Sequence, residues 1–233
     1  MFKTRSNKKE MLDESEIPKD LLFQNLKELE IINQYLGGHA ISINGLNEIK
    51  IDKLKQTNII DIGCGGGDSL KAIAKWARHN EYKIHLTGVD LKPDCISYAQ
   101  NNCKEYNEIN FSCDDFRKTF SEHAIINVIH ASLFCHHFSE KEIIELINLC
   151  SAKGAILIIN DLERNYFAYH SIKLLTKFFS KSILVKNDAP LSVLRGFKKK
   201  EWVIMLTKAG INKYFIKNRW AFRHLIIAYP NGK

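Results

Sequence analysis

No apolar run in this sequence approaches the roughly 18–20 residues that a membrane-spanning helix requires. The first residues, MFKTRSNKKEMLDESE, are charged and lack the apolar centre of a secretion signal, so a cytoplasmic protein is expected. Six cysteines, at 64, 95, 103, 113, 135 and 150, form neither a CxxC pair nor a Cys/His ladder. That pattern argues against a disulfide frame and against a zinc site, and fits reduced, packed thiols. Internal repeats and low-complexity tracts are also missing. So is a lysine after the glycines of residues 61–70, which excludes a phosphate-cradling P-loop.

What is present fits one well-buried core. The chain has 233 residues, 45% of them hydrophobic, enough for one domain with extensions and short for two. The formal charge is +8, with four cations in the first nine residues and many more between Lys173 and Arg223. Such a surface suits nucleic acid, anionic lipid, an acidic substrate or simple solubility.

Residues 19–36 place Leu22, Leu26, Leu29, Ile32 and Leu36 at helical spacing, and Gly37-Gly38 stop that helix ahead of a loop and a short helix near 44–54. Apolar strand-like runs follow at 57–62, 84–90, 109–113, 124–132 and 155–160, separated by helical stretches at about 67–79, 93–106 and 139–150. Parallel strands need crossover helices, so this alternation predicts a parallel sheet covered on both faces. After 161 the pattern predicts a long helix, a loop at Asn187-Asp188-Ala189-Pro190 and a helix near 198–209. Two strands at about 212–217 and 221–229 lie too close for an intervening helix, so an antiparallel hairpin should close the sheet. The expected organisation is a helical extension over 1–54 and a doubly wound, Rossmann-like α/β domain over 55–233. That domain has a mostly parallel seven-stranded sheet and a helical lid inserted at about 162–197.

The first strand runs into DIGCGGGDSL, residues 61–70, and then a helix. Glycine in such a turn lets a ligand approach the backbone at the carboxyl edge of the sheet. A dinucleotide fingerprint starting at Gly63 and Gly65 would need glycine at 68, where Asp68 would repel a pyrophosphate. Asp61 favours a cationic group instead. Asp90 ends the second strand, where a carboxylate can accept ribose hydroxyls. Asp115 and Phe116 end the third, placed to take an adenine amino group and flank its ring. A ligand with an ammonium, a ribose and an adenine satisfies all three acids.

With those residues in place, the chain resembles the class I S-adenosylmethionine-dependent methyltransferases. DIGCGGG is similar to their first motif, Asp90 to their ribose acid, CDDF to their adenine motif and INVIHASLFCHHF to their fourth-strand motif. Ile126-Asn127 departs from the Phe-Asp that usually opens that strand. MLDESEIP, LKELEIINQYLGG, NDLERNYFAY and NDAPLSVLRGF resemble a bacterial subgroup related to ubiquinone/menaquinone-type enzymes and found near polyketide synthases. The resemblance implies S-adenosylmethionine as cofactor and a small phenolic, quinone-like or polyketide-derived acceptor. The implied cofactor contacts are Asp61, Gly63, Cys64, Gly65, Gly67, Asp90, Leu91, Asp115, Phe116 and Ser132.

Methyl transfer from a sulfonium is an in-line displacement that mainly needs alignment, and a hydroxyl acceptor gains from losing its proton to a positioned base. His136, His137 and Asp161 sit at the ligand edge of strands four and five and are the catalytic candidates. His137 is expected to face the acceptor and His136 to form wall or helix cap. No metal site is expected, because adjacent strand residues point to opposite faces and other ligands lack useful spacing. His170 and Arg195 are candidate acceptor contacts. Asp188 is a candidate pocket acid or a partner for Arg195. The helix at 165–181 carries Lys173, Lys177 and Lys181 on one face and Phe167, Leu174, Leu175, Phe178 and Phe179 on another. It reads as a lid over the acceptor, packed with the N-terminal helix; a core-covering helix and a helix lying on a membrane are the other readings. The rival functions are RNA methylation, for which no Asn/Asp-Pro-Pro-Tyr/Phe motif or RNA-binding module is present, and a non-catalytic cofactor-binding scaffold.

Overall fold

A computed structural model describes residues 2–231. Its sheet contains β1 (Thr57–Ile62), β2 (Ile84–Asp90), β3 (Ile109–Cys113), β4 (Val128–Ser132), β5 (Ile156–Leu162), β6 (Tyr214–Arg219) and β7 (Arg223–Ala228). Spatial order is β3-β2-β1-β4-β5-β7-β6. The first five strands are parallel, and β7 runs antiparallel to both β5 and β6, as expected for the closing hairpin. Strand order reverses direction between β1 and β4, which opens a crevice at their carboxyl ends.

Two-residue alternation divides the strands between two apolar layers. Ile60, Ile129, Ile159 and Ile226 face one cluster, shared with α6 (Glu140–Ala152) and α9 (Lys199–Lys208). Ile59, Val128, Ile158 and Ile227 face the other, shared with α2 (Gly38–Ile49), α3 (Asp68–His79) and α4 (Pro93–Asn102). Helix α2 lies so close to the sheet that a Cβ on its Gly45 would stand 2.7 Å from Ile158 Cγ2.

The helices differ from expectation in three places. Helix α1 (Lys19–Tyr35) ends at Gly37, whose φ of +70° is left-handed, and α2 starts at once where a loop and a helix at 44–54 were expected. Residues 187–190 are not a loop but the interior of α8 (Ile183–Arg195), Pro190 included. Burial of Leu184, Val185 and Val193 holds that helix together despite the amide that proline lacks. A short helix α5 (Phe116–Glu122), capped by the Asp115 carboxylate, follows β3 and was not anticipated.

Helix α1 packs on α2, α4 and α8, and α7 (Tyr166–Phe179) packs on α8. Ahead of α1, the N-terminal strap crosses the carboxyl edge of the sheet. Arg5 donates to the carbonyls of Arg195 (2.7 Å), His136 (2.9 Å) and Phe138 (3.0 Å), and its guanidinium lies 3.6 Å from the Phe197 ring centroid. Three backbone carbonyls and one aromatic face therefore fix where the strap lies.

Candidate active site

The first cleft opens beyond β1, β2 and β4 and has a volume of about 340 Å³. Its floor is the glycine turn. Gly63 is left-handed at φ +65°, and a Cβ there would stand 2.0 Å from Phe134 Cδ2, so only glycine fits. Asp90 Oδ2 accepts the Gly65 amide at 3.0 Å and Oδ1 accepts the Lys92 amide at 2.9 Å. Burial raises the Asp90 pKa, and those two amides pull it back. A carboxylate has about four lone-pair directions, so two remain for a ribose. Asp61, Cys64, Leu91, Asp115, Phe116 and Ser132 line the same cleft.

Three of the implied contacts differ in detail. Gly67 does not line the cleft; it is the left-handed cap of α3, packed so that a Cβ would lie 3.0 Å from Cys103 Sγ. Asp61 already has a partner: its Oδ1 lies 2.6 Å from Nδ1 of the buried His130, whose Nε2 lies 2.8 Å from Ser42 Oγ. Asp115 is engaged by the Arg117 amide (2.8 Å) and guanidinium (3.0 Å), leaving it fewer free acceptor directions. Asp68, noted only as the absence of a glycine, accepts hydrogen bonds from Asn33 (2.9 Å) and the His39 ring (2.7 Å). Burial would raise its pKa, but His39 and Asn33 outweigh that and lower it. Asp68 thereby ties α1 and α2 to the glycine turn.

A second cavity of about 650 Å³ lies beneath α1, α7 and α8. It is largely apolar, with Leu29 and Ile32 from α1 facing Ile172 and Leu175 from α7. Leu12, Leu29, Leu133 and His137 line both cavities, so the two adjoin at these residues.

At that junction stands a polar wall of Glu10, His136 and His137. The two histidines lie on a single 3-10 turn, Cys135–His137, not on the strand, so their side chains are not opposed and their ring centroids are 4.3 Å apart. Buried His136 donates its amide to Asp161 Oδ2 at 2.9 Å, and its Nδ1 lies 2.7 Å from Oδ1. His137 Nδ1 lies 2.8 Å from Asp13 Oδ1. The two Nε2 atoms face Glu10: His136 is 3.6 Å from Oε1 and His137 is 3.9 Å from Oε2. Glu10 is 3% exposed and its Oε1 has no hydrogen-bond partner. Burial pushes the Glu10 pKa up to about 7, against the pull of His137 and Arg195. The premise that adjacent rings point apart does not hold here, because the turn brings the two rings together and the strap sets Glu10 beside both.

Arg195 is buried and does not meet Asp188. It donates to Asp13 Oδ2 at 2.6 Å and to the His137 carbonyl at 2.9 Å, supporting the wall from behind. Asp188 instead accepts the Met11 and Leu12 amides at 2.8 and 2.9 Å, fixing the strap. His170 is exposed on α7, packs beside Tyr166 and Tyr169, and does not line the cavity. Glu10 and Asp13 were missed as site residues. Their only trace in the sequence is an acid pair three apart in EMLD, which a solvated surface turn would equally show.

Helix α7 covers the second cavity with Ala168, Ile172 and Leu175. It does not bury its aromatic stripe: Phe167 is 68% exposed, Leu174 59%, Phe178 69% and Phe179 82%. The core-covering reading of this helix is thereby corrected. No described helix is long and apolar enough to cross a membrane.

A family profile described as a methyltransferase domain matches residues 53–210. The chain is 23% identical over 241 aligned positions to the carboxy-S-adenosyl-L-methionine synthase of Helicobacter pylori, spanning 98% of this chain and 97% of that protein. It is 28% identical over 120 positions to the ubiquinone biosynthesis O-methyltransferase of Coxiella burnetii, covering 50% of this chain and 48% of that one. Among solved structures it is similar to the plantazolicin methyltransferase BpumL, in complex with a monoazolic desmethylPZN analogue and SAH. That match has a TM-score of 0.63 at 19% identity, over 89% of this chain and 90% of that one. The chain belongs to the methyltransferase-domain family and is a class I S-adenosylmethionine-dependent methyltransferase.

Proposed function

We propose that this enzyme transfers the methyl group of S-adenosylmethionine to a hydroxyl of a small, partly apolar acceptor, phenolic, quinone-like or polyketide-derived. The observation that carries this reading is the second cavity: apolar along α1 and α7, polar at one wall, and joined to the cofactor cleft beside that wall. An acceptor with its ring against Leu29 and Ile172 can set its hydroxyl toward His137 and His136. Asp161 then orients His136, and Asp13 orients His137. The acceptor oxygen attacks the methyl carbon, the carbon–sulfur bond breaks, and its electron pair stays on sulfur. The hydroxyl proton is taken by the wall imidazole that it faces and is then released to solvent. Alignment beside the cofactor supplies most of the acceleration, since the leaving group is already activated.

A roof formed by α1, α7 and α8 favours a small molecule over an RNA strand, which needs an open basic groove. The outward stripe of α7 also bears on supply of the acceptor. Phe167, Leu174 and Phe178 form an exposed apolar line with exposed Lys173 and Lys177 beside it. Such a face lies readily on an anionic lipid surface, where partly apolar acceptors collect.

The test is mass spectrometry of both products after incubation with S-adenosylmethionine and a library of phenols and quinols. Acceptors heavier by one methyl group, with S-adenosylhomocysteine released, are expected. Turnover only on nucleic acid, or a modified cofactor with unmodified acceptors, would overturn the reading.

A further inference from the structure

The tautomers of the two wall histidines follow from their partners. Asp161 and Asp13 are hydrogen-bond acceptors when ionised, so Nδ1 of His136 and Nδ1 of His137 must each carry the proton in their 2.7 and 2.8 Å contacts. In the neutral rings both Nε2 atoms are then lone pairs. They face the Glu10 carboxylate, and one ligand atom from each of the three residues lies within 4.8 Å of the others. With Glu10 ionised, three acceptors converge and none of the three residues offers the others a donor. Arg195 does not fill the gap: its Nη1 is 3.6 Å from Glu10 Oε1 but 2.6 Å from Asp13 Oδ2, to which it is committed. Glu10 Oε1, buried and without a hydrogen-bond partner, points into the same space.

Those features match a metal site in the order in which such sites are built. Metal-binding histidines characteristically donate their second ring nitrogen to a carboxylate, which fixes the ring and strengthens it as a ligand. Here both do so, to different carboxylates. Two imidazoles and one carboxylate on one side of an ion leave its remaining positions open, and the open side here is the acceptor cavity. Asp13 and Asp161 behind the rings add negative charge that favours a cation.

We propose that Glu10, His136 and His137 bind one divalent first-row transition-metal ion, Zn²⁺ or Mn²⁺ in chemical class, at the junction of the two cavities. The inference rests on the proposed methylation of a hydroxyl and deepens it. A cation there lowers the pKa of the acceptor hydroxyl, so the proton passes to solvent and no side chain need retain it. The two imidazoles favour Zn²⁺ over Mg²⁺ or Ca²⁺, which prefer all-oxygen sites, and the Glu10 carboxylate with open positions for water or an acceptor oxygen suits Mn²⁺.

The experiment uses the full chain, treated with EDTA and desalted, and titrated with ZnCl₂ and separately with MnCl₂ in a calorimeter. One saturable equivalent is expected for at least one of the two ions. Glu10→Gln and His137→Ala should each weaken it about 10-fold or more. S-adenosylhomocysteine affinity of Glu10→Gln, a residue outside the lining of the cofactor cleft, should stay within about 2-fold and so report an intact fold. Co²⁺ loading gives a second readout: visible ligand-field bands in the wild type that Glu10→Gln alters. The absence of any saturable binding by wild type, or binding undiminished in both variants, would overturn the site. If the chelated, metal-free enzyme still methylates its acceptor at the full rate, the proposed role of the ion falls while the methyltransferase reading stands. A wild type that fails to bind S-adenosylhomocysteine counts against that reading alone, since metal uptake is scored separately.

Discussion

Asp161 holds His136 at two points, accepting its backbone amide through Oδ2 and facing its Nδ1 through Oδ1. One carboxylate at the end of β5 therefore fixes both the path of the 3-10 turn and the tautomer of the ring it carries. Both groups are buried, so no water competes for the contact.

Asp161→Asn should separate positioning from cofactor binding. The amide offers one oxygen and a donor where the wild type offers two acceptors, so ring or turn loses its partner. Turnover should fall about 10–100-fold, the range for a group behind a catalytic or ligating histidine. Calorimetric affinity for S-adenosylhomocysteine should be nearly unchanged. Equal loss in both would contradict a positioning role.

Asp90→Ala tests the cofactor cleft. It removes the acceptor for two backbone amides together with the carboxylate proposed to take the ribose hydroxyls. Charge-assisted hydrogen bonds contribute about 1.5–3 kcal/mol each, so cofactor affinity should drop at least about 10-fold. Undiminished binding would place the cofactor elsewhere.

The Asp68 contacts predict an acid limit on the cap. The folded-state pKa of Asp68 is depressed, so its contribution is present above the unfolded carboxylate range near 3.9 and is lost as pH falls through the lower folded value. Melting temperature should therefore decline more steeply below about pH 4 in wild type than in Asp68→Asn. Parallel curves would mean that the contact with His39 and Asn33 contributes little.

Exposed apolar residues on α7 predict binding to lipid. Co-sedimentation with vesicles rich in phosphatidylglycerol should exceed that with pure phosphatidylcholine and should weaken with added salt. The double change Phe167→Ser with Phe178→Ser should reduce it several-fold, while Lys173→Glu with Lys177→Glu should remove the preference for anionic lipid. Equal recovery with both vesicle types would dismiss the membrane surface as the partner of this helix.

Much of the glycine turn and the cleft above it was legible in the residues because its signals are local. Gly63 needs a positive φ, Asp90 sits where a strand ends, and the spacing of strands and helices sets which edge they share. Residues 187–190 misled because Asn, Asp and Pro are strong turn formers in isolation. Burial of their neighbours against the strap and α7 outweighed that local preference.

By itself the sequence determined the doubly wound sheet, its closing hairpin and a glycine turn ringed by acids, since two-residue and helical periodicity and turn chemistry act between near neighbours. Only the tertiary structure decided how the polar wall between the two cavities is composed. Asp13 meets His137 at a sequence separation of 124, Glu10 arrives on a strap fixed by Arg5 and Asp188, and a single tight turn brings two adjacent rings together. No local pattern encodes such contacts, because they exist only after the core has packed and placed distant segments on one edge of the sheet.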